Sequence, residues 1–106
     1  MNMTRPQLDA IMTQVLDQHP SVADIVITTG KVIQAEVAGQ LRDAVVTPDL
    51  GRLSPLVTKG MALALIGENA RLQKALASKG SCDLSYALTG RGRFRVNIFS
   101  QRGSLA

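Results

Sequence analysis

The sequence predicts an α+β domain, an antiparallel sheet flanked by helices, in the order helix, three strands, two helices, two or more strands. Three observations carry that prediction. Apolar residues near the N-terminus recur with helical spacing, and residues 24–46 and 81–99 run in short β-branched or alternating stretches bounded by glycine. The residues between those two regions return to helical spacing. A chain of 106 residues, 45% hydrophobic and 19% charged, has the size and composition of a single domain (residues 1–106) with one core. Two Phe, one Tyr and no Trp make that core aliphatic.

Residues 4–19 read as an amphipathic helix, with Leu8, Ile11, Met12, Val15 and Leu16 on one face. Thr4 and Gln7 form a capping box, and Pro6 sits in the first turn, where its missing N–H costs little. His19-Pro20 ends the helix, because a residue before proline is pushed out of the helical region. Ile25 to Thr28 is the first strand, followed by a turn at Thr29-Gly30-Lys31. Val32 to Val37 is the second, broken at Ala38-Gly39-Gln40, and Leu41 to Val46 is the third. Such spacing predicts a meander of antiparallel hairpins.

Thr47-Pro48-Asp49 has the cap chemistry of a helix start, and Leu50, Leu53, Val57 and Met61 make its stripe. Ser54-Pro55 offers a second start, and Gly67 breaks the helix. Asn69 to Ser78 forms the next helix, with Leu72 and Leu76 inward and Gly80 as its C-cap. Ser81 to Leu88 is a strand, and Thr89-Gly90-Arg91-Gly92 turns the chain into the last one. No internal repeat, low-complexity tract or linker interrupts this order.

Net charge is +4, and it is concentrated in residues 91–102. That stretch carries Arg91, Arg93, Arg95 and Arg102 and no acid. On a strand of period two, Phe94, Val96 and Ile98 point one way, and Arg93, Arg95, Asn97 and Phe99 the other. Guanidinium groups suit two-pronged binding of phosphate or carboxylate, so a local anion contact is one reading. The solvated outer face of an antiparallel edge strand is the other.

Several chemistries have no support. A lone Cys82 excludes an internal disulfide and a multi-cysteine metal site, and it is expected as a buried thiol. The glycines lack the spacing of a phosphate-binding loop. His19, isolated before a proline, is not expected to hold a metal. Asp24 and Asp83 are expected as caps or turn residues before their strands, not as a catalytic pair. No apolar stretch reaches membrane-spanning length and no signal-peptide core is present, so a soluble cytoplasmic domain is expected. These residues on their own display no enzyme.

Gly92-Arg93-Phe94-Arg95-Val96-Asn97-Ile98-Phe99, preceded by Asp83-Leu84-Ser85-Tyr86 and followed by Gln101-Arg102-Gly103, carries a resemblance. It resembles the end of the N-terminal domain of PilT-like ATPases, the motors of type IV pilus retraction and type II secretion. Ser21-Val22-Ala23-Asp24-Ile25 and the turn from Gly39 to Leu41 extend the similarity over essentially the whole chain. The chain departs from the family at Val26, where a histidine is usual. From Lys31 to Glu36 it lacks the family's proline-rich loop and arginine.

The resemblance implies a PAS-like domain preceding a RecA-like ATPase domain that lies outside these residues, in a homohexamer. It implies ATP with Mg as cofactor of the whole enzyme and none for this domain alone. Arg95 first, and Arg93, would approach the γ-phosphate when the domain closes on the ATPase domain. Implied partners are that ATPase domain, neighbouring subunits and the inner-membrane platform of a pilus or secretion system. The implied location is the bacterial cytoplasm, peripheral to the inner membrane, with no membrane insertion and no nucleic acid. The alternatives are a nucleic-acid-binding module using the basic strand as a phosphate-tracking ribbon and a ligand-sensing domain. For the first, only Phe99 offers an aromatic for base stacking; for the second, no polar or cofactor-anchoring residue stands out.

Overall fold

Thr4 and Gln7 close the predicted capping box in the computed structural model, which describes residues 3–100. The Gln7 amide donates to Thr4 Oγ1 at 3.3 Å, and the Thr4 amide donates to Gln7 Oε1 at 2.9 Å. From that cap α1 runs Arg5–Gln18 and buries Leu8, Ile11, Met12, Val15 and Leu16, the five residues of the predicted stripe. The strands and helices that follow are β1 (Asp24–Thr28), β2 (Gln34–Val37), β3 (Gln40–Asp43), α2 (Pro55–Ile66), α3 (Ala70–Lys79), β4 (Ser81–Leu88) and β5 (Gly92–Phe99). The α+β class and the element order are as predicted, and the architecture is consistent with a PAS-like fold.

The five strands form one sheet in the order β3-β2-β1-β5-β4. Sequence led to a wholly antiparallel sheet; the sheet is mixed. β1 and β5 are parallel, with Asp24 opposite Arg95, Ile25 opposite Val96 and Ile27 opposite Ile98. Each hairpin sets its own direction through its turn. The relation between the two hairpin groups depends on a helical crossover long enough to return the chain to either end. Local pattern therefore leaves that direction open. β5 is also an interior strand, so its arginines do not guard an edge.

The β2–β3 hairpin turns through Ala38 and Gly39, at φ 52° and 79°, between the paired residues Val37 and Gln40. Two positive φ values mark the tight turn that matches strand twist, and they fit glycine better than alanine. β3 ends earlier than predicted, at Asp43. Beyond it, glutamines of α1 replace the ladder: Val45 and Thr47 amides donate to Gln18 and Gln14 Oε1 at 2.8 and 2.7 Å.

The helix expected to open at Thr47-Pro48-Asp49 does not. Residues 47–53 are irregular, and Asp49 Oδ1 instead accepts from the Gly51 amide at 2.8 Å. Leu53 is held extended by exchanging backbone hydrogen bonds with Gly30 and Lys31 at 2.7 and 2.9 Å. The helix therefore takes the second start: Ser54 caps α2 and Pro55 is its first residue. α3 begins after Asn69 and ends at Gly80, φ 76°, as predicted. A Cβ at Gly80 would meet the Ser100 carbonyl at 3.0 Å, so glycine answers both the left-handed backbone and the close approach.

One sheet face is closed. Ile25, Ile27, Ala35, Cys82, Tyr86, Leu88, Val96 and Ile98 join the helix residues in a continuous core. Tyr86 anchors α1 there, its hydroxyl donating to Asp9 and its ring lying 4.6 Å beneath the Arg5 guanidinium. No described element covers the opposite face, which is open among the described residues. It presents Asp24, Val26 and Thr28 of β1, Gln34 and Glu36 of β2, Asp83 and Ser85 of β4, and Arg93, Arg95, Asn97 and Phe99 of β5.

Candidate functional site

The strand alternation read from residues 92–99 is what the fold contains. Val96 and Ile98 are buried against the helices, while Arg93, Arg95 and Phe99 are exposed on the open face. The register across the sheet then sets out a row of side chains: Glu36 on β2, Asp24 on β1, Arg95 on β5, Ser85 on β4. A second row carries Gln34, Val26, Asn97 and Asp83.

Asp24 is the centre of the first row. Its side chain accepts from Arg95 Nε at 3.0 Å and from Asn97 Nδ2 at 2.7 Å, and Arg95 Nη2 lies 2.9 Å away. All three contacts fall on the same oxygen, Oδ2. Asp24 is only 6% exposed, a burial that disfavours a carboxylate. Burial pushes its pKa up, but the hydrogen bonds from Arg95 and Asn97 and the Arg95 charge outweigh that and leave it below the ordinary value of 3.8. Arg95 is held more firmly protonated by its hydrogen bond to Asp24, then by the charge of Asp24, with smaller help from Asp83 and Glu36.

This arrangement corrects one expectation. Asp24 does not precede its strand as a cap; it is the first residue of β1 and the internal partner of Arg95. Asp83 likewise lies within β4, opposite Asn97, and the two aspartates do not converge. No sequence signal named the Asp24–Arg95 pair, because the residues are 71 positions apart and meet only through the parallel pairing. The one clue was a carboxylate abutting an apolar β-branched run, which burial obliges to find a partner.

The arginines of residues 91–102 divide by role. Arg91 in the β4–β5 turn pairs with Asp17 of α1 at 2.7 Å and ties the turn to that helix. Arg95 is anchored through Nε and Nη2, while Nη1 has no hydrogen-bond partner among the described residues and the side chain is 62% exposed. Arg93 has no ion pair among the described residues and is exposed. Arg102 lies outside the described residues. Asp83, Ser85, Arg93 and Arg95, with the intervening Leu84 and Phe94, line an open groove of about 460 Å³.

The groove can receive one anionic group. Arg95 is turned toward the open face by Asp24, Arg93 is unencumbered, and Ser85 adds a hydroxyl. It is not a basic track, since Asp24, Glu36 and Asp83 stand beside the two arginines. Cys82 packs in the core, where burial and then the charge of Asp83 push its thiol pKa up, consistent with the buried thiol expected. His19 faces the Asp43 carbonyl at 3.2 Å. Among the described residues, no group of three His, Cys, Asp or Glu side chains is placed to hold a metal ion. No described helix is long and apolar enough to cross a membrane. Comparison with protein-family models, curated proteins and solved structures gives no match for this chain.

Proposed function

We propose that this chain is the arginine-presenting N-terminal domain of a hexameric motor ATPase of the pilus-retraction and secretion type. In this reading the open sheet face closes on a RecA-like domain, and Arg95, with Arg93 beside it, contacts the γ-phosphate of Mg-bound ATP. The observation that carries it is the oriented Arg95, held by Asp24 through Nε and Nη2 with its side chain 62% exposed, next to an Arg93 that has no ion pair among the described residues. Phosphoryl transfer gathers charge on the equatorial oxygens, and a guanidinium fixed in advance stabilises it without reorganising. Phe99 at 44% exposed gives the same face an apolar margin suited to a docking surface.

The interleaved carboxylates favour a single phosphate contact over a nucleic-acid ribbon, which needs a continuous run of cations. Asp24 also refines the choice of test. Removing Arg95 strips a buried carboxylate of its charge partner, so Arg95→Ala confounds catalysis with folding. Arg95→Gln combined with Asp24→Asn keeps the site hydrogen-bonded and uncharged. In the intact protein this pair, and Arg93→Gln separately, are expected to lower ATP turnover, for the Arg95 position by about 10³-fold or more. Turnover within threefold of the parent in both variants sinks the proposal. The matching sequence test is whether the same reading frame encodes a phosphate loop beyond Ala106.

A further inference from the structure

The two edges of the sheet are built differently. β3 is four residues long, and Gln40, Arg42 and Asp43 leave it short and polar, the usual protection against pairing with another chain. β4 is eight residues long, Ser81–Leu88, with Asp83 as its only charge and no proline or lysine. Among the described residues its sole sheet neighbour is β5.

Backbone direction along β4 follows from its two ends. The Gly80 carbonyl accepts from Ser100 at 2.7 Å and the Leu88 carbonyl accepts from Arg91 at 2.9 Å, so even-numbered residues turn toward β5. In an antiparallel ladder the alternate residues turn the other way. Ser81, Asp83, Ser85 and Ala87 therefore aim their N–H and C=O groups outward, where they meet no partner among the described residues.

We propose that the β4 edge pairs with β4 of a second copy of this chain, antiparallel, about a two-fold axis passing through Leu84. That register pairs all four outward residues: Asp83 with the second copy's Ser85, Ser81 with its Ala87, and the reciprocal pairs. It forms about eight backbone hydrogen bonds. Moving the axis to Asp83 would oppose two carboxylates and pair one residue fewer. In the Leu84 register each Asp83 instead faces a serine whose own β5 neighbour is Arg95, so opposite charges approach across the seam. The half-buried Leu84 side chains meet on the axis, and two five-stranded sheets become one of ten. The partner is a second copy because the strand is complementary to itself, which is what an isologous contact requires.

A strand-edge contact is small, so a weak, concentration-dependent dimer is expected. Sedimentation of the chain up to about 1 mM should show a shift from monomer to dimer mass. Asp83→Lys, at an exposed position, should keep the thermal transition and abolish the shift by setting a lysine beside the second copy's Arg95. Register is read by cross-linking in a Cys82→Ser background. Leu84→Cys should oxidise to a covalent dimer at least tenfold faster than Ser85→Cys, because only residue 84 lies opposite itself. A monomer at every concentration overturns the proposal and leaves the edge to a strand of a different protein. Equal cross-linking rates at 84 and 85 overturn the register. The contact does not depend on the nucleotide reading, since it requires no ATPase domain.

Discussion

Consecutive residues of β5 belong to two different molecules, as far as their environments are concerned. Val96 and Ile98 look into a closed aliphatic core shared with three helices, whereas Arg95 and Asn97 look onto a face that no described helix covers and are held by one buried carboxylate. The closed face is stabilised by apolar area, which is non-directional and tolerant of repacking. The open face is stabilised at Asp24 by hydrogen bonds and charge, which are directional and leave atoms to spare. A sheet built this way separates the residues that fold the domain from those free to meet a partner.

The contrast can be broken most directly by truncation on each side of the same strand. Ile98→Ala should cost about 2–5 kcal/mol in denaturant unfolding, and Asn97→Ala only about 1 kcal/mol. Equal costs would mean that the open face is as structural as the core. Asp24→Ala should fall between them, at about 1–3 kcal/mol, because the Asn97 amide loses its acceptor.

Asp24 also gives the open face a pH signature. Its folded pKa is depressed, so its stabilisation is full above the unfolded value of 3.8 and fades as pH falls through the lower folded value. Asp24→Asn should flatten that part of the acid limb, whereas Ile98→Val should lower stability by a similar amount at every pH. The smallest effect belongs to the sheet's margin. Leu41, 51% exposed on β3, should tolerate Leu41→Gln within about 0.5 kcal/mol, and a larger loss measured by thermal unfolding would show that the open face carries hidden apolar stability.

Local chemistry made much of the fold legible. The Thr4–Gln7 cap, the five-residue stripe of α1, the glycine turns and the two faces of β5 all act within a few residues of each other. What escaped was set at a distance. Leu53 is kept out of a helix by Gly30 and Lys31, more than twenty residues earlier in the chain. β3 is cut short by Gln14 and Gln18, which belong to another element. The site was half legible for the same reason: Arg93 and Arg95 could be placed on a face from spacing alone, but not the carboxylate that orients one of them. A strand's period gives the direction of a side chain; only topology supplies its neighbour.

That topology has a consequence for how the chain is made. β1 is central to the finished sheet, yet one of its two neighbours, β5, is among the last described segments to be synthesised. Seventy-one residues separate Asp24 from Arg95, which at typical elongation rates is on the order of 4–14 s of translation. Throughout that interval an Ile-Val-Ile strand has an unfilled side, and a buried aspartate-to-be has no arginine. The nascent domain cannot close step by step from its N-terminus; the side of β1 that β5 covers stays vacant until β5 arrives.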